Sequence, residues 1–281
     1  YDQTCATEKR RRRKRGKIVD PQKRVVVNSL VCEGCGDCGQ KSFCVSVLPK
    51  DTEFGRKREI DQSNCNKDFS CVEGFCPSFV TVHGGKPRKG KKVNAADKLA
   101  SLPAPQIRSD LSQPWNILIT GVGGTGVVTI GALIGMAAHL DGKGVTVLDM
   151  TGLAQKGGSV FSHIRIADRP ADLHAVRIAT GEANAVIGGD LVVTASVDAL
   201  AKMAVGAHGV VNCFETPTSE FTRNPDWAFP QDKMQAAIVE AVGQKNFDFL
   251  DAGSLATKLL GQPQALRQPV TAVERLHRVD G

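Results

Sequence analysis

Seven of the nine cysteines fall between Cys32 and Cys76: Cys32, Cys35, Cys38, Cys44, Cys65, Cys71 and Cys76. A run of thiols this dense constrains its segment more than any apolar pattern can. So short a stretch buries little apolar surface, and it leans on bridges or metal for stability. Cys32, Cys35 and Cys38 stand at two-residue spacings, and Cys76 precedes Pro77. C-x2-C-x2-C followed by a Cys-Pro pair is most of a bacterial-ferredoxin cluster signature. A secreted disulfide framework fits poorly, because seven is odd and no signal peptide is recognisable. A zinc ribbon would need a second C-x2-C knuckle, which is missing. Gly34, Gly36 and Gly39 let the loop curl around a cubane, so the spacing favours an iron–sulfur centre over zinc.

Ligand assignment stays open at this level. In two-cluster ferredoxins the Cys before Pro crosses to the other cluster. By that logic Cys32, Cys35, Cys38 and Cys76 hold one [4Fe–4S]. Cys44, Cys65 and Cys71 are then one thiolate short of a second cubane. The competing assignment groups Cys32, Cys35, Cys38 and Cys44 as one local cluster. The chain therefore holds one cluster or two.

Downstream the pattern changes to α/β. Trp115–Thr120 (WNILIT) reads as a strand running into the turn Gly121-Val-Gly123-Gly124-Thr-Gly126. An apolar helix, VVTIGALIGMAAHL, and a second strand, VTVLDM, follow. Glycines there allow a tight turn and close approach of a phosphate, and the helix N-terminus offers N–H groups. Asp149 lies close to the ~20 residues beyond the turn expected of a ribose-binding acid. Taken alone, this pattern fits a nicotinamide or flavin dinucleotide as well as a glycine turn that only packs the helix on the strand. AVIGG, LVVTA and GVVNC read as later strands, giving a Rossmann-like, doubly wound domain over residues 113–260. Gln155, Lys156, Gly157 and Gly158 form a polar glycine loop, followed by an alternating strand expected to keep Ser162, His163 and Arg165 near its surface. Such a loop at the carboxyl edge of a sheet is where ligands collect.

Charge is local. The net charge is +7, and Lys9 to Lys17 carries eight basic residues. Arg10–Arg15 admits a nucleic-acid reading, but no aromatic interleaving or nucleic-acid-binding pattern accompanies it. No apolar run reaches the ~18 residues of a membrane span.

Four stretches in this order resemble the fused, single-polypeptide indolepyruvate ferredoxin oxidoreductases, within the 2-oxoacid:ferredoxin oxidoreductases. They are DQTCATEKRRRRKRG; LVCEGCGDC with CNKDFSCVEGFCPSFVTV; GVGGTGVVTIGALIGMAAHLDGKGVTVLDMTGLAQKGGSVFSHIRI; and DLVVTASVDAL. The resemblance implies oxidative decarboxylation of a 2-oxoacid, an aryl pyruvate by the family's name, with the acyl group joined to coenzyme A. Thiamine diphosphate generates the carbanion, and electrons pass singly through iron–sulfur centres to ferredoxin. The α/β part corresponds to the family's gamma-type domain, associated with coenzyme A and not with nicotinamide. Gly121, Gly123, Gly124, Gly126, Lys156, Gly157 and Gly158 then become candidate contacts for the coenzyme A diphosphate. Catalytic residues are not assigned.

No Gly-Asp-Gly…Asn-Asn thiamine signature is found, so the chain reads as an internal piece of a longer polypeptide whose other domains bind thiamine. The expected organisation is a basic connector (1–28), the end of a preceding thiamine-diphosphate domain that also faces an acidic ferredoxin, then a ferredoxin-like region (29–83) and a Gly/Pro/Lys linker (84–112). The gamma-type domain (113–260) and a divergent tail (261–281) complete it. The resemblance further implies a cytoplasmic enzyme that is a homo-oligomer when full length, with no membrane or nucleic-acid partner. Two other readings compete: an NAD(P)- or flavin-dependent oxidoreductase with a ferredoxin-like insert, and an iron–sulfur nucleic-acid-binding protein.

Overall fold

The computed structural model describes residues 6–62, 64–84, 111–152, 158–215, 220–243 and 246–255. The chain divides into two compact units, one of residues 1–95, 217–228 and 253–281, the other of residues 96–216 and 229–252.

In the first unit the basic run forms helix α1 (Ala6–Lys14), with Glu8 and Arg12 paired one turn apart at 3.0 Å. Two small antiparallel sheets follow. β1 (Lys23–Val27) pairs with a strand from the end of the cysteine region, Phe79–His83, while β2 (Val47–Thr52) and β3 (Gly55–Ile60) form a hairpin. The strand Phe79–His83 is β4. Between β1 and β2 lies the loop of Cys32, Cys35 and Cys38, which runs into the short helix α2 (Asp37–Ser42). The core of the unit is small: Val25, Val27, Cys32 and Ile60, with Cys65, Phe69, Cys71, Val72 and Phe79 packed against them. Thiols are thus part of the core itself. A single helical turn, Glu220–Arg223, also packs in this unit.

The second unit is a six-stranded mixed sheet with helices on both faces. β5 (Trp115–Val122) leads through the glycine turn into helix α3 (Val127–Leu140), and β6 (Gly144–Thr151) follows. Next come β7 (Ser159–Ala167), β8 (Ala183–Gly188), β9 (Met203–Asn212), helix α4 (Gln231–Val242) and β10 (Phe247–Leu250). The sheet order is β10-β9-β8-β5-β7-β6. β5 is buried on both faces, as interior strands of such sheets are. Ile117 and Ile119 lie in the cluster with Val127, Ile130 and Ile134 of α3, whereas Leu118 joins Leu191, Ile238 and Val242 on the other side.

Three expectations change. The α/β class holds, but the sheet is not wholly parallel. β7 inserts between β5 and β6, antiparallel to both, so β6 is displaced one place from its position in a plain dinucleotide fold. β7 is therefore interior, and Ser162 and His163 are buried, not near the surface; Arg165 is half-buried and donates to Asn116 Oδ1 at 2.9 Å. LVVTA is not a strand. Leu191–Thr194 is one helical turn, because the carboxylate of Asp190 accepts the Val193 N–H at 2.9 Å and caps it. Capping chemistry overrides the β-branched run. Lys156 and Gly157, most of the linker and the tail from 261 lie outside the described residues. Among the described residues no helix is long and apolar enough to cross a membrane.

Candidate functional site

The sequence points to two sites, one in each unit. In the first, glycines at positive φ shape the thiol loop: Gly34 at 79° and Gly36 at 85°. A Cβ at Gly36 would lie 2.7 Å from Pro225 Cβ and 3.3 Å from Arg58 Nη2, so the loop turns hard against its neighbours. Cys38 lies within electrostatic reach of Cys32 and Cys35, and Cys71 within reach of Cys44, Cys65 and Cys38. Burial pushes the Cys38 thiol up to about 11, against the pull of the Arg58 guanidinium. Burial and the neighbouring sulfurs push Cys71 to about 12. Cys76 and Ser78 share a hydrogen bond at 3.0 Å, and Cys65 Sγ accepts the Lys67 N–H at 3.3 Å.

The basic helix helps hold this loop. Arg10 Nη1 donates to Asn64 Oδ1 at 2.8 Å and Arg13 donates to the Asn66 carbonyl, on either side of Cys65; beyond the helix, Asp20 pairs with Lys67. Lys9, Arg11, Arg12, Lys14, Arg15 and Lys17 remain exposed.

The donor chemistry fits an iron–sulfur centre. All seven candidate ligands are free thiols; Cys32, Cys65 and Cys71 pack among apolar side chains, and Cys35 is exposed. As they stand, no three Cys, His, Asp or Glu side chains among the described residues are gathered as an ion site. Metal binding would have to draw the sulfurs together and displace their protons.

The second site is the glycine turn at the carboxyl end of β5. Its four glycines do different jobs. At Gly121 a Cβ would meet Thr125 Oγ1 at 2.5 Å and Val127 Cγ2 at 2.9 Å, so this position serves close packing. Gly124 and Gly126 have φ of 108° and 92°, and a Cβ on either would face open space. Gly123 donates to the carbonyl of Gly158 at 2.8 Å, tying the turn to the start of β7. Asp190, fully buried, braces the turn from below: its carboxylate accepts Val122 N–H at 2.6 Å as well as Val193 N–H. Burial raises its pKa, opposed by the amides of Val193, Val122 and Val192. Asn212, at the end of β9, donates to the Gly189 carbonyl and accepts from Phe214 and Ala252 amides.

Sequence reasoning missed Asp190, Asn212 and Arg58. Asp190 carried a signal, an acid just before an apolar helical turn. Asp149 is exposed at the end of β6. With β7 between, its strand is two strand spacings, about 10 Å, from β5. In a nucleotide fold the ribose-binding acid ends the neighbouring strand, so this geometry disfavours that role.

Comparison with known proteins bears on the second unit above all. A family described as pyruvate ferredoxin/flavodoxin oxidoreductase matches residues 116–269. Indolepyruvate oxidoreductase subunit IorB of Methanothermobacter thermautotrophicus is 31% identical over 129 residues, covering 46% of this chain and 63% of the relative. IorB of Pyrococcus horikoshii is 37% identical over 73 residues, 26% of this chain and 35% of the relative. The chain thus spans less than two thirds of the curated relatives it matches. Among solved structures, pyruvate oxidoreductase subunit PORC of Thermotoga maritima is similar with a TM-score of 0.35 at 19% identity, over 53% of this chain and 70% of that one. The family match takes in β5, the glycine turn, α3 and the rest of the mixed sheet, more than half of the sequence: the chain belongs to the pyruvate ferredoxin/flavodoxin oxidoreductase family and carries its gamma-type domain.

Proposed function

We propose that this chain supplies the electron-transfer and gamma-type parts of an indolepyruvate-type 2-oxoacid:ferredoxin oxidoreductase. The observation that carries the reading is the joining, in one chain, of a gamma-type domain to a small unit whose core is built partly from thiols. The relatives named as indolepyruvate oxidoreductase subunits support an aryl pyruvate as substrate.

Residues 29–83 would form a ferredoxin-like region, with the thiol loops set between two short antiparallel sheets. Cys32, Cys35 and Cys38 would hold a [4Fe–4S] cluster with Cys76 or Cys44, and Cys65 and Cys71 belong to the same or a second site. A cluster there supplies one-electron transfer. The protein's part is to pack Cys32, Cys65 and Cys71 among apolar side chains and to present an exposed basic helix to an acidic ferredoxin. In residues 113–260, the turn Gly121–Gly126 and the loop of Lys156, Gly157 and Gly158 would hold the coenzyme A diphosphate. Thiamine diphosphate and the decarboxylation would come from other domains of the assembly, cytoplasmic and homo-oligomeric when complete.

Anaerobic reconstitution with iron and sulfide tests the reading. It should give acid-labile sulfide and a reducible [4Fe–4S] signal in electron paramagnetic resonance, lost in Cys35→Ala. Stoichiometric zinc and no iron would overturn it.

A further inference from the structure

Arg58 is a buried charged side chain whose surroundings the proposed function leaves unexplained. It lies on β3 and is only 2% exposed. Its guanidinium stacks on the Phe221 ring, 4.7 Å from the centroid. It donates to two carbonyls, Lys57 O at 3.1 Å and Pro225 O at 3.4 Å. Among the described residues no carboxylate lies within ion-pair distance of it; the acidic partners found belong to other cations. A guanidinium cannot shed its proton in a protein. A buried charge without a counter-ion is costly and is retained where an opposite charge meets it.

The opposite charge has a place to form. Nη2 of Arg58 lies 3.3 Å from where a Cβ on Gly36 would stand, between Cys35 and Cys38. Cys38 feels the Arg58 charge directly. Once thiolates ligate iron, this loop carries net negative charge, and it gains another on reduction. A cation fixed beside it in a dry environment stabilises the reduced state more than the oxidised one. Phe221 and the Pro225 carbonyl hold the guanidinium in place, so it need not reorganise as the electron arrives.

We propose that Arg58 is the built-in counter-charge of the centre on the Cys32–Cys38 loop, setting its reduction potential upward and positioning the loop to bind iron. The inference rests on the iron–sulfur reading above, and the test separates the two. The 281-residue chain is reconstituted anaerobically as wild type, Arg58→Lys and Arg58→Gln. Iron and sulfide are counted, and the signal that Cys35→Ala removes is followed in a redox titration. The expected result is a signal in Arg58→Gln about tenfold harder to reduce, a potential lower by about 59 mV for one electron, with Arg58→Lys closer to wild type. If Arg58→Gln takes up no cluster, uptake by Arg58→Lys supports the role of charge, and loss in both overturns it. An unchanged potential in Arg58→Gln overturns it as well. Absence of iron from wild type refutes the iron–sulfur reading itself, and the inference with it.

Discussion

His163 shows what burial does to a single titratable residue. It is 2% exposed on the interior strand β7, and its Nδ1 accepts the Ile178 N–H at 3.2 Å. Burial, with the charges of Arg177 and Lys202, lowers its pKa from 6.5 to about 4. Above pH 6.5 the ring is neutral in the folded and the unfolded chain, so it contributes no pH dependence. Below 6.5 the unfolded chain takes up a proton that the folded chain refuses until about pH 4, and stability falls as pH falls through that window. The loss should reach about 2 kcal/mol by pH 5. Urea unfolding at pH 7 and pH 5 checks this: His163→Gln, which can still accept the Ile178 amide but does not titrate, should lose most of that dependence. Equal slopes in both proteins would refute it. Nothing local in SVFSHIRIA says that both of its faces are covered, which is why His163 reads as a surface residue from sequence. Arg58 is hidden in the same way, since the alternation in GRKREI does not say which basic residue points inward.

At the level of elements, what the sequence made legible was local. The bounds of α3 follow from a long apolar run entered through Gly126 and closed before Asp141, and the structure gives Val127–Leu140. The position of β7 between β5 and β6 is a pairing between distant segments, invisible to periodicity. The helical turn at Leu191–Thr194 depends on Asp190, whose second bond, to Val122, joins segments far apart in the chain. The seven thiols were legible by spacing, but their grouping depends on how the loops fold back. The glycine turn can be dissected by two substitutions. Gly121→Ala places a methyl against Thr125 and Val127 and should destabilise the domain by about 1–3 kcal/mol. Gly124→Ala meets open space; its φ of 108° should cost about 1–2 kcal/mol while leaving the fold intact. If the turn cradles a diphosphate, calorimetry should show weaker coenzyme A binding by Gly124→Ala at unchanged far-ultraviolet dichroism. Tight NADH binding that disappears in Asp149→Ala would restore the dinucleotide reading and refute this one.

At the scale of the whole molecule, one unit is thiol-rich, proposed here to carry electrons, and the other has a gamma-type fold; under that proposal the decarboxylation comes from elsewhere. Decarboxylating a 2-oxoacid needs a group that can stabilise a carbanion, which thiamine diphosphate supplies and amino-acid side chains do not. The 281 residues contain no Gly-Asp-Gly…Asn-Asn signature for that cofactor. The proposed function thus divides the labour, with this chain working beside another polypeptide or domain. The reconstituted chain alone should therefore give no pyruvate- or indolepyruvate-dependent reduction of ferredoxin above background. Dithionite-reduced chain should still pass electrons to oxidised ferredoxin, because that step needs only the cluster and the basic face of α1. The second rate should fall steeply with added salt, since exposed charges separated by more than about 8–10 Å are screened near physiological ionic strength. Stopped-flow absorbance on the same preparation measures both. Turnover of a 2-oxoacid by the chain alone would contradict the division of labour. A reduced chain unable to pass electrons to ferredoxin at low salt would contradict the proposed electron-transfer role.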